Sequence, residues 1–174
     1  WKVKLDNPNS NHLIYQEDDE LFWVGISKTQ DDDYLLISSS SKETSEIHYL
    51  DLKSENNVLT LIKKRQKGIL YSVSKRNDIF YIVTNLHDAK NFQILVSNIK
   101  SPSKWEKFKD NSGKILFQHN NSRTLNYTYS FENFLVIFGR ENGLKQVWCI
   151  IFKENKILDY HKLEFPEDTY VVGL

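Results

Sequence analysis

The strongest constraint on this chain is a rhythm of short apolar runs. YLLIS from Tyr34, IFYIVT from Ile79 and FLVIF from Phe134 start 45 and 55 residues apart, and each stands second in a set of four such runs. The runs are rich in Ile, Val, Leu, Tyr, Phe and Trp. Clusters of Asn, Asp, Gly, Ser and Lys separate them, which is the pattern of strands and turns. No stretch carries an apolar period of three to four over a dozen residues, so no helix is predicted. The first set of predicted strands is 21–27, 34–38, 46–52 and 58–62. The second is 70–74, 79–84, 92–99 and 105–108. The third is 125–129, 134–139, 146–152 and 157–165.

A repeat of about 40–50 residues carrying four strands is the signature of a β-propeller blade. One such sheet cannot bury both of its faces alone, so blades stack around an axis. The fold class is therefore all-β, a partial β-propeller of three whole four-stranded blades at roughly 21–62, 70–108 and 125–165. Flanking segments 1–17 and 169–174 supply pieces of the neighbouring blades, with predicted outer strands at 1–5 and 12–16. The whole of 1–174 reads as a fragment of one propeller domain, since closed propellers have about four to eight blades. The absence of methionine, even at position 1, leads to the same expectation of a longer parent chain.

Four consecutive serines, Ser38 to Ser41, pose the question of a linker, a nucleophile or a turn. They continue the alternation of the second strand, with Ser38 and Ser40 on one side and Ser39 and Ser41 on the other. Lys42-Glu43-Thr44-Ser45 follows with the short polar side chains that suit turns. The equivalent positions of the next two sets are TNLHDAKN (84–91) and GRENGLK (139–145). The second of these contains Asn142-Gly143, a strong two-residue hairpin signal. The serines belong to a strand and its turn.

Charge and composition exclude several functions. Lys+Arg and Asp+Glu both number 23, so no global field draws the chain to nucleic acid or to an acidic membrane. The basic run Lys63-Lys64-Arg65-Gln66-Lys67 reads as an exposed inter-blade loop. No apolar run reaches transmembrane length. One cysteine, Cys149, excludes an internal disulfide framework and fits a cytoplasmic location. It reads as a small buried hydrophobe. The five histidines show no zinc-ligand spacing, so no metal and no cofactor is expected. Glu17-Asp18-Asp19-Glu20 and Asp31-Asp32-Asp33 lack the spacing and glycine of a calcium loop and read as solvated turns. The aromatics Trp23, Phe80, Tyr81, Phe92, Phe134 and Trp148 read as core material for stacked sheets.

At this point the blocks IYQEDDELFWVGISKT, ISSSSKETSEIHYLDL, KGILYSVSKRNDIFYIVTNLHDAKNFQIL and GRENGLKQV become informative together. In this order and spacing they resemble the non-catalytic propeller of the prolyl oligopeptidase family, nearest to its oligopeptidase B branch. The resemblance reaches about residue 151 and is thin between 101 and 126, where Lys and Asn fill apparent loop insertions. It implies a seven-bladed propeller covering an α/β-hydrolase domain of the same parent chain, with short peptides cleaved after Arg or Lys. It also implies that the propeller gates access and excludes folded proteins.

No G-x-S-x-G nucleophile elbow occurs in this sequence, so no catalytic residue is assigned and the segment is expected to be inactive alone. The candidate interdomain or tunnel-rim contacts are Arg140, Glu141, Asn142, Thr84 and Asn85. For Arg140 and Glu141 the alternative is a local ion pair fixing the hairpin, worth about 0–1 kcal/mol if exposed. The expected partners are the hydrolase domain and a passing peptide, with neither nucleic acid nor membrane. A propeller-only interaction module that has lost its hydrolase half is the alternative function.

Overall fold

The computed structural model describes residues 1–54, 56, 58–167 and 170. Among these residues every regular element is a strand. A short hairpin comes first, pairing β1 (Lys2–Lys4) with β2 (Asn7–His12). Three four-stranded antiparallel meanders follow. The first holds β3 (Trp23–Lys28), β4 (Tyr34–Ser40), β5 (Ser45–Asp51) and β6 (Leu59–Lys63). The second holds β7 (Tyr71–Arg76), β8 (Ile79–Thr84), β9 (Gln93–Asn98) and β10 (Glu106–Lys107). The third holds β11 (Arg123–Ser130), β12 (Phe134–Glu141), β13 (Leu144–Lys153) and β14 (Lys156–Lys162).

Strand alternation dictates the stacking. In β8, Phe80 and Ile82 point to one side while Tyr81 and Val83 point to the other, and all four are buried. Phe80 and Ile82 join Leu36, Ile47 and Ile62 of the first sheet and Leu95 of their own. Tyr81 and Val83 join Leu135, Ile137, Trp148, Ile150 and Phe152 of the third sheet. IFYIVT is continuously apolar because its sheet is covered on both faces. Ring pairs cross the same seams, such as Tyr49 with Phe80 at 5.3 Å and Tyr81 with Phe152 at 6.2 Å.

Several expectations are corrected. The predicted strand 12–16 is displaced, because β2 occupies Asn7–His12 and residues 13–20 cross the first sheet without ladder pairing. Pro8 is tolerated in β2 because the strand lies at a sheet edge. The thin region 101–126 is more than insertion: Phe108, Leu116 and Phe117 enter the core between the second and third sheets. Trp23 and Phe134, expected in the core, are 65% and 44% exposed. Cys149 is only half-buried, because its side of the third sheet faces away from the second. Apart from Tyr170, the predicted strand 169–174 lies outside the described residues.

The meanders sort the connections into two ends. Turns 41–44, 85–92 and 142–143, with the inter-sheet connections 64–70 and 108–122, lie at one end, the upper. Turns 29–33, 77–78 and 131–133 lie at the other, the lower. The second and third sheets converge on their first strands, since β7 packs along β11.

Candidate functional site

All five candidate contact residues lie at or beside the upper end, but they do different work. Thr84 is fully buried, and its hydroxyl donates to the Leu70 carbonyl at 2.9 Å. The Asn85 amide oxygen accepts from the Leu70 N–H at 2.8 Å, and its amide nitrogen donates to the Gly68 carbonyl at 2.8 Å. Both residues therefore fix the connection into β7. The nearby Asn91 amide does the same for the next connection, donating to the carbonyls of Asn120 and Asn121. The Thr-Asn…Asn block is a set of side-chain clamps on the backbone between sheets.

Arg140 and Glu141 are not paired with each other. Both belong to β12, where adjacent side chains point to opposite faces, and the turn is only Asn142-Gly143. Arg140 donates to the Gly143 carbonyl at 3.1 Å, while Glu141 pairs with Lys162 at 3.5 Å. Asn142 takes φ of 51° and Gly143 takes φ of 84°, the left-handed pair this hairpin requires. Arg140 and Asn142 remain exposed.

The densest polar cluster at this end centres on Glu17. Its carboxylate accepts two hydrogen bonds from Arg65 (2.8 and 3.1 Å), one from Tyr15 (3.0 Å), one from the Asp19 N–H (3.1 Å) and one from the Ser39 hydroxyl. Arg65 stacks on Phe22 at 4.2 Å, and its own N–H donates to Glu46. Segment 13–22 is thus strapped onto the first sheet by one carboxylate. The Arg65 guanidinium, more than any other neighbour, holds that carboxyl down to about 2 from an ordinary 4.5.

A depressed carboxyl stabilises the fold above the unfolded pKa, and this contribution is lost as pH falls from about 4.5 towards 2. Arg65 keeps 32% of its side chain in water, which reduces the worth of the shift to roughly 2 kcal/mol. Glu17→Gln should therefore lower the urea midpoint at pH 7. The gap from wild type should narrow steadily on titration to pH 3.

The same cluster settles the serine run. Ser39 is fully buried and spends its hydroxyl on Glu17, so it cannot serve as a nucleophile. Ser38 to Ser40 are strand residues, and Ser41 alone opens the turn, where its Oγ accepts from the Thr44 N–H at 3.2 Å. The His48 ring lies 5.1 Å from that of Tyr15 in a tilted contact, and burial pushes its pKa down. Among the described residues no group of three His, Cys, Asp or Glu side chains is placed to hold a metal.

The lower end carries links between sheets. Lys75 of β7 reaches Asp31 at 2.6 Å and Asp33 at 3.8 Å. Burial pushes the Asp31 carboxyl up, but Lys75, Thr29 and the Asp33 N–H outweigh it and hold the group below its ordinary value. Arg76 donates to the carbonyls of Glu132 (2.8 Å) and Glu154 and lies over Phe152 at 4.1 Å.

Comparison with known proteins places this architecture. The profile of the prolyl oligopeptidase N-terminal β-propeller domain matches residues 1–172. The chain belongs to this family. Protease 2 of Moraxella lacunata is 39% identical over 176 residues, which take in the whole chain and 23% of that protein. Oligopeptidase B from Trypanosoma brucei, with covalently bound antipain in a closed form, superposes with a TM-score of 0.78 at 31% identity. That match covers 88% of the chain and 22% of the trypanosomal protein. Oligopeptidase B from Leishmania major gives a TM-score of 0.81 at 27% identity over 95% of the chain and 23% of its own length. The prolyl oligopeptidase-family propeller described here thus spans under a quarter of these relatives' length.

Within this propeller the sequence left the Glu17 hub unseen. The acidic run Glu17 to Glu20 does contain ordinary turn chemistry, as when Asp19 accepts from the Leu21 N–H at 3.0 Å. Glu17 differs only through its partner Arg65, 48 residues away inside the basic run, and neither stretch advertises the other. Lys63 of that run is likewise engaged, over the Trp105 ring at 4.5 Å.

Proposed function

We propose that this propeller is the non-catalytic gate of an oligopeptidase B-like serine peptidase that hydrolyses short peptides after Arg or Lys. The observation that carries this reading is the 39% identity to Protease 2 along the whole chain. The α/β-hydrolase domain of the same parent supplies the nucleophile. The propeller admits short peptides and excludes folded proteins, and the enzyme works in the cytoplasm. The upper end faces the hydrolase domain, with exposed Arg140 and Asn142 as direct contacts. Glu141 ties the end of β12 to Lys162 of β14, and Thr84 and Asn85 fix the connection into β7 at the same end.

The test uses the intact natural protein captured through this segment. It should have the mass of propeller plus hydrolase and be labelled by a fluorophosphonate serine-hydrolase probe. Short peptides with Arg or Lys before the scissile bond should be cut, and folded proteins spared. Antipain, bound covalently by the trypanosomal enzyme, should block both labelling and cleavage. A short, unlabelled product would overturn the reading in favour of a propeller-only interaction module. Labelling combined with a preference for other residues would overturn only the Arg/Lys specificity.

A further inference from the structure

The two seams between sheets are closed by different chemistry at their inner edge. Between the second and third sheets, the Ser74 hydroxyl lies 2.7 Å from both the Thr128 and Ser130 hydroxyls, and all three residues are buried. Arg76 adds bonds to two backbone carbonyls, so the acceptors it uses across this seam are neutral. β7 also packs along β11 here.

Between the first and second sheets the inner edge is open. β3 is exposed along its whole length and makes no comparable contact with β7. Trp23 lies on the side of β3 that faces the second sheet, yet it is 65% exposed. What joins the sheets at this edge is Lys75, lying over the Tyr34 ring at 4.7 Å and against Asp31 and Asp33. Lys75 is buried, but its partners are in reach of water, with 36% and 27% of their side chains exposed. Asp33 is also shared with Lys53 at 2.6 Å. A concave site of about 330 Å³ opens beside the pair, lined by Gln30, Asn77 and Ser130 among others.

The rest of this first seam is a natural pivot. Ser45 exchanges two bonds with the backbone of Tyr71, at 2.6 and 3.0 Å, near the upper end. Tyr49 donates to the Ile99 carbonyl at 3.0 Å on the outer side. The apolar cluster around Phe80 lies between them.

We propose that the first seam opens at its lower inner edge by parting an ion-pair clasp, Lys75 from Asp31 and Asp33, while the second seam stays shut. Ionic strength sets the balance. Partly wet ion pairs are screened by salt, whereas hydrogen bonds between buried neutral groups are not. The long Lys75 side chain reaches water once the clasp parts, so the open form leaves no charge stranded. Applied to peptide access, the clasp names the seam that yields, and there it rests on the gating function proposed above.

The test is a pair of distances on the intact protein, in a background that combines Cys149→Ser with removal of any cysteine elsewhere in the parent chain. Spin labels at Gln30→Cys and Asn77→Cys straddle the first seam, and labels at Asn77→Cys and Asn133→Cys straddle the second. Pulsed electron paramagnetic resonance would be recorded between about 0.1 and 1 M NaCl, where the screening length falls from about 10 Å to about 3 Å. The first distance should lengthen by several ångströms and broaden, while the second stays fixed. Asp31→Asn with Asp33→Asn should show the long distance at low salt and no further response. A salt-insensitive first pair, a joint movement of both pairs, or a double variant held at the wild-type distance would each overturn the clasp. Peptide hydrolysis followed over the same salt range tests gating separately: opening without faster cleavage would leave the clasp standing and remove its role in access.

Discussion

Alanine at Gly139 is expected to lower the thermal midpoint by about 10 °C or to leave the protein insoluble. Gly139 lies mid-strand in β12, at a φ any residue can adopt, so conformational freedom is not what selects glycine there. The reason is a close approach. Between Leu125 and Tyr127 the register of β11 shifts, and the bulge brings its backbone against β12. A Cβ on Gly139 would sit 2.2 Å from the Thr124 carbonyl oxygen and 3.1 Å from the Trp148 ring. Rotamer changes can move the ring but not the carbonyl, so one sheet edge must shift. Overpacking commonly costs 1–3 kcal/mol and more when backbone must move. A cost of about 3 kcal/mol is a large part of a typical domain's stability and corresponds to roughly 2–4 °C per kcal/mol at this chain length. Circular dichroism melts of Gly139→Ala against wild type measure it. Valine, with two more carbons in the same contact, should be worse. An unchanged midpoint would mean that the bulge relaxes freely.

How much of this was legible in the sequence depends on how local the cause was. IFYIVT could be read to the residue, because continuous burial of β8 on both faces leaves an uninterrupted apolar run bounded by Asp78 and Asn85. The Asn142-Gly143 hairpin was equally local, since its left-handed backbone demands those residue types. β2 was misplaced because Asn-Pro-Asn-Ser-Asn has turn composition, yet it pairs at an edge where sequence propensity is weakly tested. Residues 101–126 read as insertion because Phe108, Leu116 and Phe117 are scattered among Lys, Asp and Asn, without the period of any element. The Glu17–Arg65 and Asp31–Lys75 links were invisible for a different reason. Each joins charges more than forty residues apart, and only the stacking of sheets makes them neighbours. Arg140 and Glu141 were paired by sequence proximity alone, and extension of the strand through both of them separates their side chains.

A polypeptide of residues 1–174 on its own is expected to self-associate as its concentration rises. Apart from Trp23 at the open inner edge, the internal seams bury most of their apolar side chains, whereas the outer faces of the first and third sheets leave several exposed. On the first sheet, Val24 and Ile26 point away from the second sheet and are 51% and 73% exposed. On the third, Tyr127 and Phe134 are 40% and 44% exposed, on the side that also carries half-buried Cys149. Terminal repeats of a stacked array need a polar outer face to stay soluble, and both faces here carry exposed apolar side chains beside their polar ones. The two open faces are different surfaces, so a contact between them is head-to-tail and either closes a ring or runs on into larger species. Sedimentation velocity should therefore show a weight-average mass that rises with loading. Ile26→Lys and Phe134→Lys each place a charge in one of the two faces, and either should return the chain towards monomer. A single monomeric boundary for wild type at high concentration would contradict the argument. It would show that the strap around Glu17 and residues 163–167 cover these faces better than their exposure implies.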